Sequence, residues 1–280
     1  MEPVLVAVDF SNTSLHALEY ACIVANKMKS DLVMVWVDKL TPLESLYPDT
    51  SNQNRNEAKK RFEELIQLYG KKLIGGIKME YKLRKGKVYH EVDKLAKSVN
   101  AGLIVTGAHG ISGFEEYWIG SNAFKIVTYA TCPIITIRHD FRIRKRVDRI
   151  IFPIDGSSET LQKLPFVIRM AKIFNSEVHV VSTHTSHLKS IRRIAEKYAQ
   201  TALIYLQTNN IPFIQDEIVS HDLTKAVIAY AVSVKADLIS IMTEQETPVN
   251  ILLGAQAQQL INQSPVPVLS VHPQEHFSLT

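Results

Sequence analysis

Short runs of consecutive apolar residues alternate with longer segments of helical period along this chain, and the alternation occurs twice. The first half opens with Val4-Leu5-Val6-Ala7-Val8-Asp9-Phe10-Ser11 and the second with Ile150-Ile151-Phe152-Pro153-Ile154-Asp155-Gly156-Ser157, each an apolar strand closed by aspartate. Cap residues at 12–14 and at 157–158 then predict the start of a helix. A second strand is predicted over 31–37 and 177–182, a fourth over 102–106 and 237–241, and a last, proline-containing strand over 131–137 and 265–271. Helical periodicity covers 57–73, 88–99 and 122–130. Apolar runs this continuous leave no solvent-facing side, so they predict a parallel sheet covered on both faces. Each half reads β-α-β-α-β-α-β-α-β, and two copies of one fold is the economical description. The stretch 38–56 is polar and rich in turn formers, and reads as either a lid over a site or slack between elements.

Composition fits this division. With 280 residues, 46% hydrophobic and 21% charged, the chain suits two domains, predicted over 1–140 and 146–275. No stretch approaches the roughly 18 apolar residues of a membrane span. Residues Met1 to Val6 lead directly into a strand rather than a signal peptide, so secretion is not expected. Cys22 and Cys132 make neither a metal pattern nor a disulfide framework and read as buried free thiols of a reducing cytoplasm. The net charge of +4 is too small to indicate nucleic acid. The basic cluster Arg138, Arg142, Arg144, Lys145, Arg146 and Arg149 has no aromatic stacking platform and reads as a solvated linker.

The glycines single out one half. Nine of the eleven precede residue 121, and they include Gly107-Ala108-His109-Gly110, nine further residues, then Gly120-Ser121. Gly107 and Gly110 suit a bend at which backbone N–H groups approach a phosphate with no Cβ in the way. Gly120-Ser121-Asn122 opens a helix carrying Ala123, Ile126, Val127 and Ala130, whose free N–H groups and positive dipole end face the same anion. A turn followed by an ordinary N-cap is the structural alternative. Ligands of open parallel sheets lie beyond the carboxyl ends of the strands, where strand order reverses. Asp9 and Gly107 therefore share one crevice if strands one and four are neighbours.

Asp9, the spacing Gly107-x2-Gly110-x9-Gly120-Ser121, and the helix and proline-containing strand that follow resemble the universal stress protein family in its tandem form, over essentially the whole chain. The resemblance implies an α/β fold of two doubly wound, Rossmann-like domains, each with a five-stranded parallel sheet of order 3-2-1-4-5. It further implies ATP binding where the glycine motif is intact. By position, Asp9 and the end of strand two at Trp36 and Val37 would hold adenine and ribose. Gly107, His109, Gly110, Gly120, Ser121 and Asn122 would surround the phosphates, with Mg or Mn bridging phosphate oxygens. Pairing of the halves through their last strands is implied as well, since those strands would otherwise be bare apolar edges; a homodimer is expected beyond that. On the residues alone, Asp9 serves equally as a cap for the next turn, His109 as a phosphate donor or a solvent-facing side chain, and Trp36 as a core residue.

In the second half Met242, Gln245 and Ala255 stand where the first has Gly107, Gly110 and Ser121, with Gly254 kept. Glu244 and Glu246 add carboxylates that repel a triphosphate. One ATP per chain is expected, with the second half a structural or regulatory partner. There is no Gly-x4-Gly-Lys-Ser/Thr loop and no G-x-G-x-x-G after strand one. His179, His184, His187 and His221 are dispersed and read as surface or core histidines rather than metal ligands. The expectation is an ATP-binding regulatory protein and not an enzyme. A slow ATP hydrolase using Glu115 and Glu116, or a ligand-independent scaffold, are the alternatives.

Overall fold

The apolar runs become parallel strands because both faces of each are covered. Val4, Leu5 and Val6 have no exposed surface, and burying each such side chain stabilises the domain by about 1.5–3 kcal/mol. The computed structural model describes residues 1–38, 48–108, 120–185, 189–243 and 253–274. It divides into two units, Met1–His139 and Asp140–Thr280.

The first unit contains β1 (Val4–Ala7), α1 (Asn12–Met28), β2 (Leu32–Asp38), α2 (Pro48–Tyr69), β3 (Met79–Lys85), α3 (Val88–Val99), β4 (Leu103–Gly107), α4 (Ser121–Tyr129) and β5 (Ile134–Ile137). Its strands run in the order β3-β2-β1-β4-β5, all parallel. Val4 is in register with Leu32 on one side and with Leu103 on the other, so β1 is central.

Two boundaries differ from expectation. The N-cap of α1 is Ser11, whose Oγ accepts from the Ser14 N–H at 3.2 Å, so 12–14 form the first helical turn and not the cap. Helix α2 begins at Pro48, well before the predicted residue 57. Its first described turns are exposed, and the apolar face begins only with Ala58, Phe62 and Leu65. Periodicity is silent where one end of a helix faces only water. The supposed connection 38–56 thus includes helix from 48 onward, and 39–47 lie outside the described residues.

The second unit repeats the plan with β6 (Arg149–Ile154), α5 (Leu164–Phe174), β7 (Glu177–His184), α6 (Lys189–Thr208), β8 (Phe213–Val219), α7 (Leu223–Ser233), β9 (Leu238–Met242), α8 (Ala255–Gln263) and β10 (Val268–Val271). Its order, β8-β7-β6-β9-β10, is again 3-2-1-4-5 with every neighbour parallel. Asp237 braces the central pair from the start of β9, its Oδ2 accepting from the N–H groups of Asp148 (2.8 Å) and Arg149 (3.2 Å). The linker arginines are partly tied down. Arg146 pairs with Asp148 at 2.9 Å, and Arg149 donates to the Val234 carbonyl at 3.1 Å.

The units differ where the first helix starts. Pro165 sits in the first turn of α5, and the chain before it forms a separate 3-10 turn over Ser158–Leu161. Proline has no N–H to give to residue 161 and its ring collides with that carbonyl, so a helix cannot run through from 158 as α1 runs through from Asn12. The matching position in α1 is Glu19, which imposes no break.

Candidate functional site

The carboxyl ends of β1 and β4 are adjacent, which brings Asp9 and Gly107 to one crevice. Asp9 is half-buried and organises the turn into α1. Its Oδ1 accepts from the Ser11 N–H (3.1 Å) and Oγ (2.6 Å), and its own N–H donates to Ser14 Oγ at 3.2 Å. The cap reading of Asp9 is therefore realised. Its second carboxylate oxygen accepts no hydrogen bond from the described residues, which leaves it an acceptor for a ligand. Phe10, next in the chain, has φ 63°, a left-handed conformation that a bulky residue rarely adopts. Its ring is held 4.9 Å from that of Phe62, which stacks on Tyr81.

Gly107 is the last residue of β4, and a Cβ there would lie 2.6 Å from Thr13 Cγ2 and 3.1 Å from the Thr13 carbonyl oxygen. Close packing of α1 on β4 requires this glycine. From Ala108 the chain leaves the sheet, and it returns at Gly120, whose N–H donates to the Ala108 carbonyl at 2.8 Å. His109 and Gly110 fall between these points, outside the described residues, as do Glu115 and Glu116. Gly120 is the N-cap of α4 and has no side chain to offer. The N–H groups of Ser121, Asn122 and Ala123 consequently find no acceptor among the described residues, and they form the positive end of the nine-residue helix. Ser121 is exposed and Asn122 half-buried. Trp36 and Val37 lie just before the buried last residue of β2, Asp38, beside β1; Val37 is buried and Trp36 half-buried. The structure thus gathers Asp9, Val37, Gly107, Gly120, Ser121 and Asn122 around the strand ends, with Trp36 part core and part surface.

The second unit has a cavity of about 610 Å³ at the equivalent strand ends. Asp155 repeats the local design of Asp9: its Oδ1 accepts from Ser157 N–H (2.9 Å) and Oγ (2.6 Å), and its N–H donates to Thr160 Oγ1 at 3.3 Å. Carrying the same spacing three residues on gives Ala17 in the first unit and Lys163 in the second. Lys163 is 3% exposed. Its Nζ donates to the Thr160 carbonyl (3.0 Å) and hydroxyl (3.3 Å) and lies 4.9 Å from the centre of the Phe152 ring. Burial pulls the Lys163 ammonium down to a pKa of about 8, against the partial support of Asp155. Burial pushes Asp155 up, but Lys163 and the hydrogen bonds from Ser157 and Thr160 outweigh it and hold the carboxyl below its ordinary value.

Sequence reasoning passed over Lys163. The available signal was Pro165, which ends helical continuity and leaves Lys163 at the N-cap position of α5, with its side chain directed into the domain. Met242 stands at the place of Gly107 and lines the same cavity. Gln245, Glu244 and Glu246 lie outside the described residues.

The remaining titratable groups have structural settings. His179 is buried within hydrogen-bonding distance of Tyr230 Oη (2.9 Å) and Glu177 (3.2 Å), and burial lowers its pKa. His184 is buried 3.1 Å from Glu217, and His187 is outside the described residues. Among the described residues no group of three or more His, Cys, Asp or Glu side chains is placed to hold a metal. Both thiols are unpaired, and burial pushes each up to a pKa of about 12. Cys22 is buried as expected, whereas Cys132, placed in the turn before β5, is only half-buried.

Two doubly wound α/β domains, each with a strand-end aspartate and a glycine-capped helix at the topological switch point, define the class as tandem Rossmann-like proteins. The profile described as Universal stress protein family matches residues 1–138 and 146–272, and the chain belongs to that family. It is 30% identical over 143 residues to universal stress protein YxiE of Bacillus subtilis (strain 168), a match covering 48% of this chain and 97% of that one. A universal stress protein from Archaeoglobus fulgidus DSM 4304 superposes with a TM-score of 0.77 at 22% identity, covering 98% of this chain and 97% of the other. A putative universal stress protein from Pseudomonas aeruginosa UCBPP-PA14 does so with a TM-score of 0.63 at 15% identity, over 98% and 94%. These two likenesses establish the tandem fold. Among the described residues no helix is long and apolar enough to cross a membrane.

Proposed function

We propose that the chain is an ATP-binding regulatory protein whose N-terminal domain takes the nucleotide, with the C-terminal domain as its structural or regulatory partner. The observation that carries this reading is the uncapped N-terminus of α4 at Gly120-Ser121-Asn122, beside the strand-end carboxylate of Asp9. Three N–H groups without an acceptor among the described residues and a helix dipole suit phosphate oxygens, while Asp9 suits a ribose hydroxyl. Val37 supplies an apolar side chain for a base, while Trp36, whose side chain lies on the opposite face of β2, offers its backbone. His109 and Gly110 complete the phosphate side of this proposal. The residues fit Mg or Mn only as an ion bridged through the phosphates, since α4 offers donors and not ligands.

The reading is regulatory rather than catalytic, and the unpaired thiols suit a cytoplasmic setting. Pairing of the halves through their last strands, with a homodimer beyond it, is the assembly we propose alongside. Titration calorimetry on the full chain is expected to show one ATP per chain, weakened about tenfold or more by Ser121→Glu, which puts a carboxylate among the phosphate donors. No binding, or two equivalent sites, overturns the proposal. Steady turnover lost on replacing Glu115 and Glu116 would favour a hydrolase instead.

A further inference from the structure

The two units differ at their outer strands. Among the described residues β3 pairs only with β2 and β8 only with β7, which leaves each with one open edge. β3 carries Lys82, Arg84 and Lys85 among its seven residues, and such charges, lysines above all, keep an exposed edge from recruiting another strand. β8, also seven residues long, reads Phe-Ile-Gln-Asp-Glu-Ile-Val, with no lysine, arginine or proline. Phe213, Ile214 and Val219 are each more than a third exposed. The carboxylates of β8 are occupied within the unit. Glu217 is held by Arg192 (2.8 Å) and His184 (3.1 Å), and Asp216 Oδ1 accepts from the Glu217 N–H at 2.8 Å.

The direction of the backbone groups fixes how a strand can add at this edge. The Val178 N–H donates to the Pro212 carbonyl (2.9 Å) and the Ser220 N–H to the His184 carbonyl (3.2 Å), so the even-numbered residues of β8 turn their backbone toward β7. Phe213, Gln215, Glu217 and Val219 therefore turn N–H and C=O outward. A two-fold axis at Asp216 sets these residues of one copy against those of another in an antiparallel ladder, 213 with 219 and 215 with 217. Side chains then meet as Phe213 with Val219 and Ile214 with Ile218 on both sides of the axis, apolar against apolar. A two-fold contact of this kind closes at two copies. We infer that two copies of the chain join edge to edge through β8 in this register, an inference that rests on the homodimer proposed for the chain and names its interface. Asp216 meeting its own copy is the one unfavourable pair. The Glu217 N–H must also exchange the Asp216 carboxylate for the partner's backbone, so the dimer is reversible.

Sedimentation of the full chain over a micromolar concentration series is expected to reach the dimer mass. Gln215→Pro removes an outward N–H and no bond to β7, and Val219→Lys puts a cation on the edge; each is expected to weaken association about tenfold or more. Asp216→Asn removes the like-charge pair and is expected to tighten association a few-fold, which a misfolded variant would not do. The register is read by cross-linking. Asp216→Cys brings two thiols together across the axis, with Cα atoms about 4.5 Å apart, and is expected to give a disulfide-linked dimer on mild oxidation. Ile214→Cys faces Ile218 and is expected not to link, with wild type as the control for Cys22 and Cys132. A dimer undiminished in Gln215→Pro and Val219→Lys, or no cross-link through Asp216→Cys, overturns the inference and leaves the homodimer to another face. A mass that climbs past the dimer also overturns it, in favour of an open contact such as β8 on β3 of another copy. A wild-type chain that stays monomeric overturns the homodimer itself.

Discussion

Lys163 shows how one side chain sets the character of a domain. Its ammonium is buried against a threonine, a phenyl ring and an exposed aspartate, and its pKa falls to about 8. An unfolded lysine titrates near 10.5, so between pH 8 and 10.5 the unfolded chain holds more protons, and folded-state stability rises with pH across that window. Below pH 8 the full cost of the buried charge is present. Lys163→Met is accordingly expected to stabilise the second unit at neutral pH by about 2 to 3 kcal/mol, the cost of the shift less the small loss at Asp155. The advantage should shrink toward pH 10.5. Calorimetric melts of wild type and variant over pH 7 to 10.5 check both sign and window, and a pH-independent difference contradicts this account.

At the scale of elements, the two units diverge through the contact between the first helix and the fourth strand. In the first unit α1 packs so closely on β4 that a Cβ at Gly107 would meet Thr13 at 2.6 Å. In the second, α5 starts later, after a 3-10 turn, and Met242 at the place of Gly107 lines a cavity together with Glu159 of that turn. Gly107→Ala should therefore destabilise the first unit by about 1 to 3 kcal/mol through overpacking, and Thr13→Ala in the same chain should recover part of the loss by removing Cγ2. Both tryptophans, Trp36 and Trp118, lie in the first unit, so tryptophan fluorescence during urea unfolding reports this change selectively. Gly107 was legible in the sequence as special; its reason was not. A glycine that admits a phosphate and one that admits a threonine look alike until the helix above it has a position.

For the whole molecule, duplication followed by divergence gives one chain two switch points with different electrostatics. Among the described residues, the first presents the N–H groups at the start of α4 beside Asp9, and the second presents Asp155, Glu159 and Lys163. Association of whole chains is the remaining question at this scale, and sedimentation is expected to give twice the 31.6 kDa chain mass, with a monomer mass contradicting the proposed homodimer.

The sequence by itself determined the repeated α/β plan, because near-continuous apolar strands can only be buried on both faces. It also marked Asp9 as a strand end and Gly120-Ser121-Asn122 as a helix start through local residue chemistry, but that β1 and β4 are neighbours, which brings those ends together, was decided by the tertiary structure. It did not reveal the early start of α2, whose first turns face water and carry no period, nor the buried Lys163. That residue's neighbours Phe152, Asp155 and Thr160 come from a strand, a turn and a 3-10 segment. Only the tertiary structure decided its role, since burial and pKa depend on which groups the fold brings around a charge and not on their order in the chain.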